Sequence, residues 1–246
     1  MVHLLTAQRC LKKFTPHSQG SVRIICFPHA GGSASIFRSW AEQLHPNIEL
    51  FAVQYPGREE RIQETLACQP QRLIDDIVQA LRLIQDKPCI YLGHSLGGRL
   101  ALAVTLQSSQ PPAQLIVSVC TTPYAARHHH LLRLTRSSMI EVLRESGAIH
   151  AAVYSNADLL DFYFPLLRAD LYLANQLVFP METRCSSPVL FLSGEDDCWV
   201  EQQDVSDWER LACGHFQQQN FPGDHMFIYQ HRESVIRAIQ RKFCIL

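Results

Sequence analysis

The run Cys-Ile-Tyr-Leu-Gly-His-Ser-Leu-Gly-Gly at residues 89–98 places a serine between an apolar, strand-like segment and a helical pattern at Arg99–Gln107. Strand, serine and helix in this order are typical of a nucleophile elbow, a turn so tight that only small residues fit beside the serine. Gly93, Gly97 and Gly98 meet that requirement. The turn holds the Ser95 hydroxyl out of the sheet, and the helix N-terminus behind it offers free amides and a positive dipole. We therefore predict that Ser95 is a nucleophile.

Similar apolar runs recur along the chain and alternate with helical patterns, of which Gln71–Gln85 is the clearest. The predicted strands are Val22–Phe27, Glu49–Val53, Cys89–Leu92, Gln114–Val119 and Val189–Ser193. Strands that are apolar almost throughout indicate a sheet covered on both faces. Their alternation with helices predicts an α/β fold with a mostly parallel central sheet, in which ligands bind at the carboxyl ends of the strands.

The alternation breaks once, between Val119 and Val189. That gap holds a helical pattern at Ser137–Ser146 and a longer one. The longer pattern has Leu160, Tyr163, Leu167, Leu171, Ala174 and Val178 on one face. We predict a single domain over residues 1–246. A helical lid at about residues 123–182 is inserted before the strand at Val189–Ser193, which is expected to carry the catalytic acid. Ordinary packing helices are the alternative.

A serine hydroxyl needs a base, and in this fold the partners follow in the order serine, acid, histidine. His225 lies in the turn-rich segment Phe-Pro-Gly-Asp-His-Met-Phe at 221–227, ahead of a terminal helix predicted at Glu233–Phe243. We predict that His225 is the base. His215 is the second candidate, although its position favours the start of a strand.

The acid is expected in the loop after the strand at Val189–Ser193, where an acid orients the imidazole and stabilises its charged form. Three carboxylates follow there, in Gly-Glu-Asp-Asp at 194–197. We predict Asp197, which lies three residues before the apolar Val200, and keep Asp196 as the alternative.

The oxyanion of an acyl-transfer intermediate needs two backbone donors. The amide of Leu96, directly after the nucleophile, is one candidate. The other is expected in the glycine-rich loop at 27–33, Phe-Pro-His-Ala-Gly-Gly-Ser, where we predict Ala30 and keep Gly31 as the alternative. The loop lacks GxGxxG spacing, which argues against a dinucleotide phosphate site.

Composition narrows the class of partner. The chain has 246 residues, 22 Lys and Arg, 23 Asp and Glu, and a formal net charge of -1, which gives no overall electrostatic case for nucleic acid or an anionic membrane. Lys12 and Lys13 follow the apolar start, the wrong order for a secretory signal. Cys244 stands one position too late for a prenylation box, and no apolar run approaches the ~20 residues of a membrane span.

Nine cysteines are present, an odd number without a CxxC pair, and no His/Cys grouping has the spacing of metal ligands. We therefore expect reduced thiols, a cytoplasmic protein and no metal.

Five segments together resemble the type II thioesterase family: PHAGGSAS at 28–35, YPGREER at 55–61, GHSLGG at 93–98, PLLRAD at 165–170 and FPGDHMF at 221–227. Its members are stand-alone α/β-hydrolases that accompany nonribosomal peptide and polyketide synthases, a few serving fatty-acid synthases. They remove aberrant or stalled acyl groups from phosphopantetheine arms. The resemblance implies that Ser95, Asp197 and His225 stand at the triad positions. Leu96 and Gly98 depart from the methionine and alanine common in the family.

The resemblance further implies that the partners are acyl or peptidyl carrier protein domains, which supply the phosphopantetheine arm, so that the chain needs no cofactor of its own. We expect a monomer. Two features remain open. The lid residues Phe162, Tyr163, Phe164 and Leu166 either line an acyl channel or belong to the core. The segment Arg127–Arg136, which has no acid, either meets an acidic carrier protein or is a solvated basic face.

Four other functions stay as alternatives. A carboxylesterase or lipase uses the same triad, and a medium-chain acyl thioesterase of a fatty-acid synthase differs only in its substrate. Acyl transfer or macrocyclisation would require that water be excluded. A binding protein on the hydrolase fold would normally have lost a member of the triad.

Overall fold

The computed structural model describes residues 9–149 and 151–242. The start of the N-terminal run, Cys244 and the predicted helix end at Phe243 lie outside these residues. Within them, no helix is both long and apolar enough to cross a membrane. The eight cysteines of the described part are all unpaired, and Cys10, Cys26, Cys120 and Cys185 are buried.

Seven strands in the described part form one sheet, in the order β1-β3-β2-β4-β5-β6-β7. The strands are β1 (Leu11–Lys13), β2 (Val22–Phe27), β3 (Ile48–Val53), β4 (Cys89–His94), β5 (Gln114–Ser118), β6 (Val189–Gly194) and β7 (Phe216–Phe221). β1 pairs antiparallel with β3, and every other neighbouring pair is parallel. The mostly parallel sheet predicted from the apolar runs is confirmed.

The helices of the described part are α1 (Pro70–Arg82), α2 (Leu96–Gln107), α3 (Arg136–Glu145), α4 (Ala151–Tyr154), α5 (Ala157–Gln176), α6 (Gln202–Leu211), α7 (Phe227–Gln230) and α8 (Arg232–Lys242). Short 3-10 helices cover Ala34–Trp40, Glu59–Arg61 and His129–Arg133. The predicted helices are present, with ends shifted by a few residues.

The side chains of the sheet alternate between two cores. Ile25 and Phe27 of β2 pack with residues of α1, α2 and α6 on one face, whereas Ile24 and Cys26 pack with Ala34–Trp40 and α8 on the other. All four of these β2 side chains are fully buried. Burial on both faces explains why the strands read as continuous apolar runs.

Four helical segments, from His129–Arg133 to α5, lie between β5 and β6 and form the helical insertion. The insertion has an apolar cluster of its own, separate from the two cores of the sheet. Its buried members are Leu131, Met139, Leu143, Ile149, Phe164, Leu167 and Leu171. The long helical pattern predicted around Leu160–Val178 corresponds to α5.

β1 was not predicted. Its sequence, Leu-Lys-Lys, carries no apolar alternation, and it owes its strand conformation to pairing with β3 at the edge of the sheet. β7 is also an edge strand, and its central residues are exposed. Edge strands lose the apolar signature because only one side of them is paired and covered.

Gly97 provides a test of the packing that fixes the turn after β4. A Cβ atom at Gly97 would lie 2.0 Å from the Phe27 carbonyl oxygen, whereas one at Gly98 would meet only side-chain atoms, the nearest being Val117 Cγ1 at 3.0 Å. We expect Gly97→Ala to lower the free energy of unfolding by about 3 kcal/mol and Gly98→Ala by less than about 1 kcal/mol. Urea denaturation measures both losses, and equal losses would contradict this account.

Candidate active site

Ser95 lies at the end of β4, in a backbone conformation that residues other than glycine rarely adopt. Its φ is 55° and its ψ is -118°, which costs of order 1–3 kcal/mol and persists only where surrounding contacts enforce it. Here the Ser95 amide donates to the Ser118 carbonyl at 2.9 Å, and the Ser95 carbonyl accepts from Gly98 N at 2.9 Å. The strained turn that the sequence pattern predicted is therefore present.

Two glycines allow this turn to lie against its neighbours. A Cβ at Gly93 would lie 2.2 Å from the Gly97 carbonyl oxygen, and one at Gly97 would collide with Phe27. The lack of a Cβ therefore lets the start of α2 pack directly on the end of β2. As a result, the loop that follows β2 begins beside Ser95.

His225 and Asp197 form a hydrogen-bonded pair. The His225 Nδ1 atom lies 2.8 Å from Asp197 Oδ2, and the two side chains are 9% and 2% exposed. The second oxygen of Asp197 accepts the Trp199 amide at 2.7 Å, which fixes the carboxylate. This contact orients the imidazole so that Nε2 is the nitrogen available for proton transfer. Ser95 and His225 both line one cavity.

The alternatives for acid and base lie elsewhere. Asp196 and Glu195 are exposed in the loop after β6. His215 is exposed and directly precedes β7, so it lies at the amino-terminal end of a parallel strand, opposite the edge that carries Ser95. Asp224, beside His225, is engaged with its own turn and accepts the Met226 amide at 2.8 Å.

The loop after β2 contributes Ala30 to the same cavity, where it lies with Ser95 and Leu96. The amide of Gly31 donates to Asp170 Oδ2 at 2.7 Å. Two amides of this loop were considered as oxyanion donors. The Gly31 amide already donates to Asp170, so the Ala30 amide remains as the candidate. Leu96 is the first residue of α2, where amides lack partners within the helix.

The cavity has a volume of about 70 Å³, enough for several water molecules. One wall is formed by the loops at the edge of the sheet, and the other by the helical insertion. The insertion contributes Leu131, Leu143, Ala148, Leu167, Leu171, Ala174 and Asn175. The chemistry-bearing residues thus lie in segments that follow the strands, and half of the apolar lining residues belong to the insertion.

Two further histidines surround the catalytic candidate. The ring centroid of His94 lies 5.6 Å from that of His225 and 5.8 Å from that of His29. Burial holds the pKa of His94 well below its ordinary value, and the neighbouring imidazoles lower it further. Burial also lowers the pKa of His29 to about 4, against the opposing effect of its hydrogen bond to the Ala30 carbonyl. Both rings are therefore neutral near pH 7.

Sequence reasoning did not single out several residues of this site. His128 and Trp199 line the cavity, and their rings meet edge to face at 4.8 Å. Burial lowers the pKa of His128 to about 4. Arg99, in α2, also lines the cavity and donates to the Leu177 carbonyl at 2.7 Å. None of these residues stands in a motif that implies its location.

The four residues of α5 considered for an acyl channel, Phe162, Tyr163, Phe164 and Leu166, do not line this cavity. Phe162 is half exposed, and Phe164 and Leu166 are buried in packing contacts. The cavity is lined instead by Leu167 and Leu171, one turn further along the helix. Helical periodicity shows which residues share a face, but not which part of that face meets a cavity.

The basic segment Arg127–Arg136 is largely neutralised by acids from elsewhere in the chain. Arg127 pairs with Glu201 at 2.8 Å and with Asp204 at 3.3 Å, and Arg136 pairs with Asp161. The His128 side chain lines the cavity and is not part of a basic surface. The segment has no acid in its own sequence, but folding brings carboxylates to it, which weakens the case for a carrier-docking patch there.

His94 allows a test of buried, neutral histidine. Below about pH 6.5 the unfolded chain binds a proton at this imidazole that the folded chain excludes, so the free energy of unfolding falls as pH falls. We expect His94→Asn, which preserves a partner for Ser118, to reduce that slope between pH 6 and 5 by about 1.4 kcal/mol per pH unit. Urea denaturation across this range measures the slope. An unaltered slope in His94→Asn would show that His94 is not the buried, neutral histidine that the structure indicates.

The family model and the sequence relatives that match this chain point to one family. Residues 22–243 match the family described as "Thioesterase domain". A probable cadicidin biosynthesis thioesterase of Streptomyces griseus is 29% identical over 94% of this chain, which spans 64% of that relative's length. The gramicidin S biosynthesis protein GrsT of Aneurinibacillus migulanus is 28% identical over 89% of this chain and 88% of its own. The medium-chain S-acyl fatty acid synthase thioesterase of Rattus norvegicus is 30% identical over 84% of this chain and 81% of its own.

Solved structures agree with the sequence relatives. The type II thioesterase BorB from the borrelidin biosynthetic cluster superposes with a TM-score of 0.84 at 26% identity, covering 95% of this chain and 97% of that one. YbtT, a type II thioesterase from the yersiniabactin NRPS/PKS pathway, gives 0.83 at 26% identity over 94% and 97%. The chain therefore belongs to the thioesterase family of α/β-hydrolase fold and is a serine hydrolase similar to the type II thioesterases of nonribosomal peptide and polyketide pathways.

Proposed function

We propose that this thioesterase hydrolyses short acyl groups from the phosphopantetheine thioester of carrier proteins, and thereby clears misprimed or stalled nonribosomal peptide or polyketide synthases. The observation that carries the proposal is the arrangement around one cavity. Ser95 projects from a strained turn, His225 reaches the same cavity with Asp197 hydrogen-bonded behind it, and Ala30 and Leu96 line that cavity as well.

In the first step, His225 takes the proton of Ser95 as the hydroxyl oxygen attacks the thioester carbonyl. The carbonyl oxygen becomes an oxyanion, which the amides of Leu96 and Ala30 stabilise. Asp197 stabilises the positive charge that develops on His225. Neutral His29 and His94 put no competing positive charge beside it.

The intermediate then collapses. The bond between carbon and sulfur breaks, and His225 returns its proton to the leaving thiolate, whose thiol pKa of roughly 8.5 makes departure easier than that of an alcohol or amine. Water, deprotonated by His225, attacks the acyl-Ser95 ester and releases the acid. These steps need no metal or cofactor from this chain, since the pantetheine arm belongs to the carrier protein.

The volume of the cavity supports a short acyl group. A space of about 70 Å³ beside Ser95 matches an acetyl-sized group better than a longer chain, and residues of α5 and of the segment at 129–133 form part of its wall. The insertion thus acts as a lid over the acyl site. The proposal further includes a monomeric, cytoplasmic enzyme, consistent with a chain whose partners are carrier domains of cytoplasmic synthases.

A second function is favoured by one observation, the 30% identity with the medium-chain fatty acid synthase thioesterase of rat. Its chemistry would be the same, but the preferred acyl chain would be longer. The side chains that would have to move to admit a longer chain are apolar, and they include Leu143 and Leu167. Acyl-chain length therefore separates the two functions.

The proposal is tested by single-turnover release of radiolabelled acetyl from a phosphopantetheinylated carrier protein. We expect the wild-type enzyme to release acetyl faster than octanoyl, because the cavity beside Ser95 is small. Ser95→Ala should abolish release from both carriers. Faster octanoyl release would favour the medium-chain function, while release by Ser95→Ala at the wild-type rate would remove Ser95 from the mechanism.

The same assay with a matched oxygen ester of the acetyl group addresses the esterase alternative. Preference for the thioester supports the proposal, and preference for the oxygen ester would overturn it.

Asp197 and Asp196 form a matched pair of variants in one loop. Asp197→Asn should lower kcat by up to about 10⁴-fold, since the amide holds the His225 ring in the wrong tautomer. Asp196→Asn, at an exposed position, should leave kcat within about twofold. Steady-state hydrolysis of an acetyl thioester of N-acetylcysteamine measures both. Comparable losses in the two variants would show that Asp197 is not the acid.

A further inference from the structure

A buried ion pair links the helical insertion to the loop after β2. Arg58 lies in the loop that follows β3, and Asp170 lies in α5; they are 2% and 1% exposed. Two hydrogen bonds join them, from Arg58 Nη1 to Asp170 Oδ2 at 2.6 Å and from Nη2 to Oδ1 at 2.9 Å. This bidentate geometry fixes the plane of the Arg58 guanidinium with respect to that of the Asp170 carboxylate.

The same two side chains also hold the backbone of the loop after β2. Asp170 Oδ2 accepts the Gly31 amide at 2.7 Å, and Arg58 Nη1 donates to the Gly32 carbonyl at 2.9 Å. One member of the pair thus takes the N–H of Gly31, and the other takes the C=O of the next residue. The preceding residue, Ala30, carries the amide assigned to the oxyanion.

Other contacts attach this arrangement to the sheet. The Arg58 guanidinium lies over the Tyr55 ring, 5.4 Å from its centroid, and the Tyr55 hydroxyl donates to the Pro28 carbonyl at 2.9 Å. Gly31 has a φ of 78°, and a Cβ there would lie 2.3 Å from the Tyr163 hydroxyl of α5. The loop therefore has α5 on one side and the segment after β3 on the other.

The energetics of a buried ion pair point to geometry as its main contribution. Desolvation of two charges offsets most of their attraction, so that such pairs are weak sources of stability, although removal of one partner is strongly destabilising. A hydrogen bond to a backbone amide, in contrast, sets the orientation of the peptide group that carries it. At an oxyanion hole, displacement of a donor by a fraction of an ångström changes the rate.

We propose that Arg58 and Asp170 are positioning residues, which hold the peptide at Gly31 so that the Ala30 amide points at the oxyanion of the reaction. The inference rests on the proposed function and deepens it. It also makes the oxyanion hole depend on α5, because Asp170 belongs to the helical insertion. Movement of α5 away from the sheet would withdraw Asp170 from Gly31, so that the hole is complete only when the insertion is closed.

The test compares two ligands that differ only in their ability to form an oxyanion. The trifluoroacetonyl thioether of N-acetylcysteamine has a ketone to which Ser95 Oγ adds; its proton passes to His225, and the resulting hemiketal oxyanion occupies the hole. The acetonyl thioether, without fluorine, binds as an unreacted ketone. We expect Asp170→Asn to weaken the fluorinated ligand about 10- to 100-fold, by the same factor as kcat/KM, and the acetonyl ligand less than twofold.

A buried pair at the other end of β2 supplies the matched control. Arg23 Nε donates to Glu49 at 2.6 Å, and both side chains are almost fully buried. The double variant Arg23→Met with Glu49→Leu should leave the affinity ratio of the two ligands unchanged, whatever its effect on thermal stability. If Asp170→Asn does not fold, Arg58→Met with Asp170→Leu, which leaves no unpaired charge, is measured by the same criterion.

Three outcomes would overturn the inference: unchanged affinity for the fluorinated ligand, equal weakening of both ligands, or the same weakening in the control variant. The ligand ratio does not involve a carrier protein. A wild-type enzyme that forms the hemiketal but releases no acetyl from carriers would therefore refute the proposed substrate and leave the positioning role standing.

Discussion

The contact between the start of α2 and the end of β2 is the constraint on which the site depends. Gly97 packs against the Phe27 carbonyl with no room for a Cβ atom, and this close approach forces the turn that strains Ser95. Because β2 ends at that contact, the loop carrying Ala30 must start beside the nucleophile. One packing constraint thus places Ser95 and the loop of Ala30 together, and the cost of the strained residue is offset by the two cores on either side of the sheet.

The surroundings of His225 follow from burial. A nucleophile activated by a neutral imidazole needs a positive charge to form on that ring during the reaction. The ring centroid of His94 lies 5.6 Å from that of His225 and 5.8 Å from that of His29. Desolvation keeps both His94 and His29 neutral, so neither ring repels the charge on His225. In the mechanism that we propose, Asp197, with its second oxygen held by the Trp199 amide, compensates this charge. Buried, uncharged neighbours leave that compensation unopposed.

The sequence was sufficient for the features that depend on neighbouring residues. The apolar strands, the turn at Ser95 and the positions of Asp197 and His225 in loops after successive strands all follow from local patterns and chain order. Contacts between distant segments were not accessible in this way. Arg58 and Asp170 are 112 residues apart, and each stands in a segment that resembled the family without a stated role. The positions of His128 and Trp199 in the cavity, and the compensation of Arg127, likewise depend on how the helical insertion folds onto the sheet.

The division of labour between the sheet and the insertion has a consequence for specificity. Ser95, Asp197 and His225 lie in the segments that follow β4, β6 and β7, whereas Leu143, Leu167 and other apolar walls of the cavity belong to the insertion. Substitutions in the insertion can therefore change the acyl group that fits without disturbing the triad. Asp170 is the exception, because it lies in the insertion but contacts the oxyanion loop. In the positioning role that we propose for Asp170, a change in the insertion reaches the oxyanion donor directly, and closure over a substrate and completion of the site are the same event.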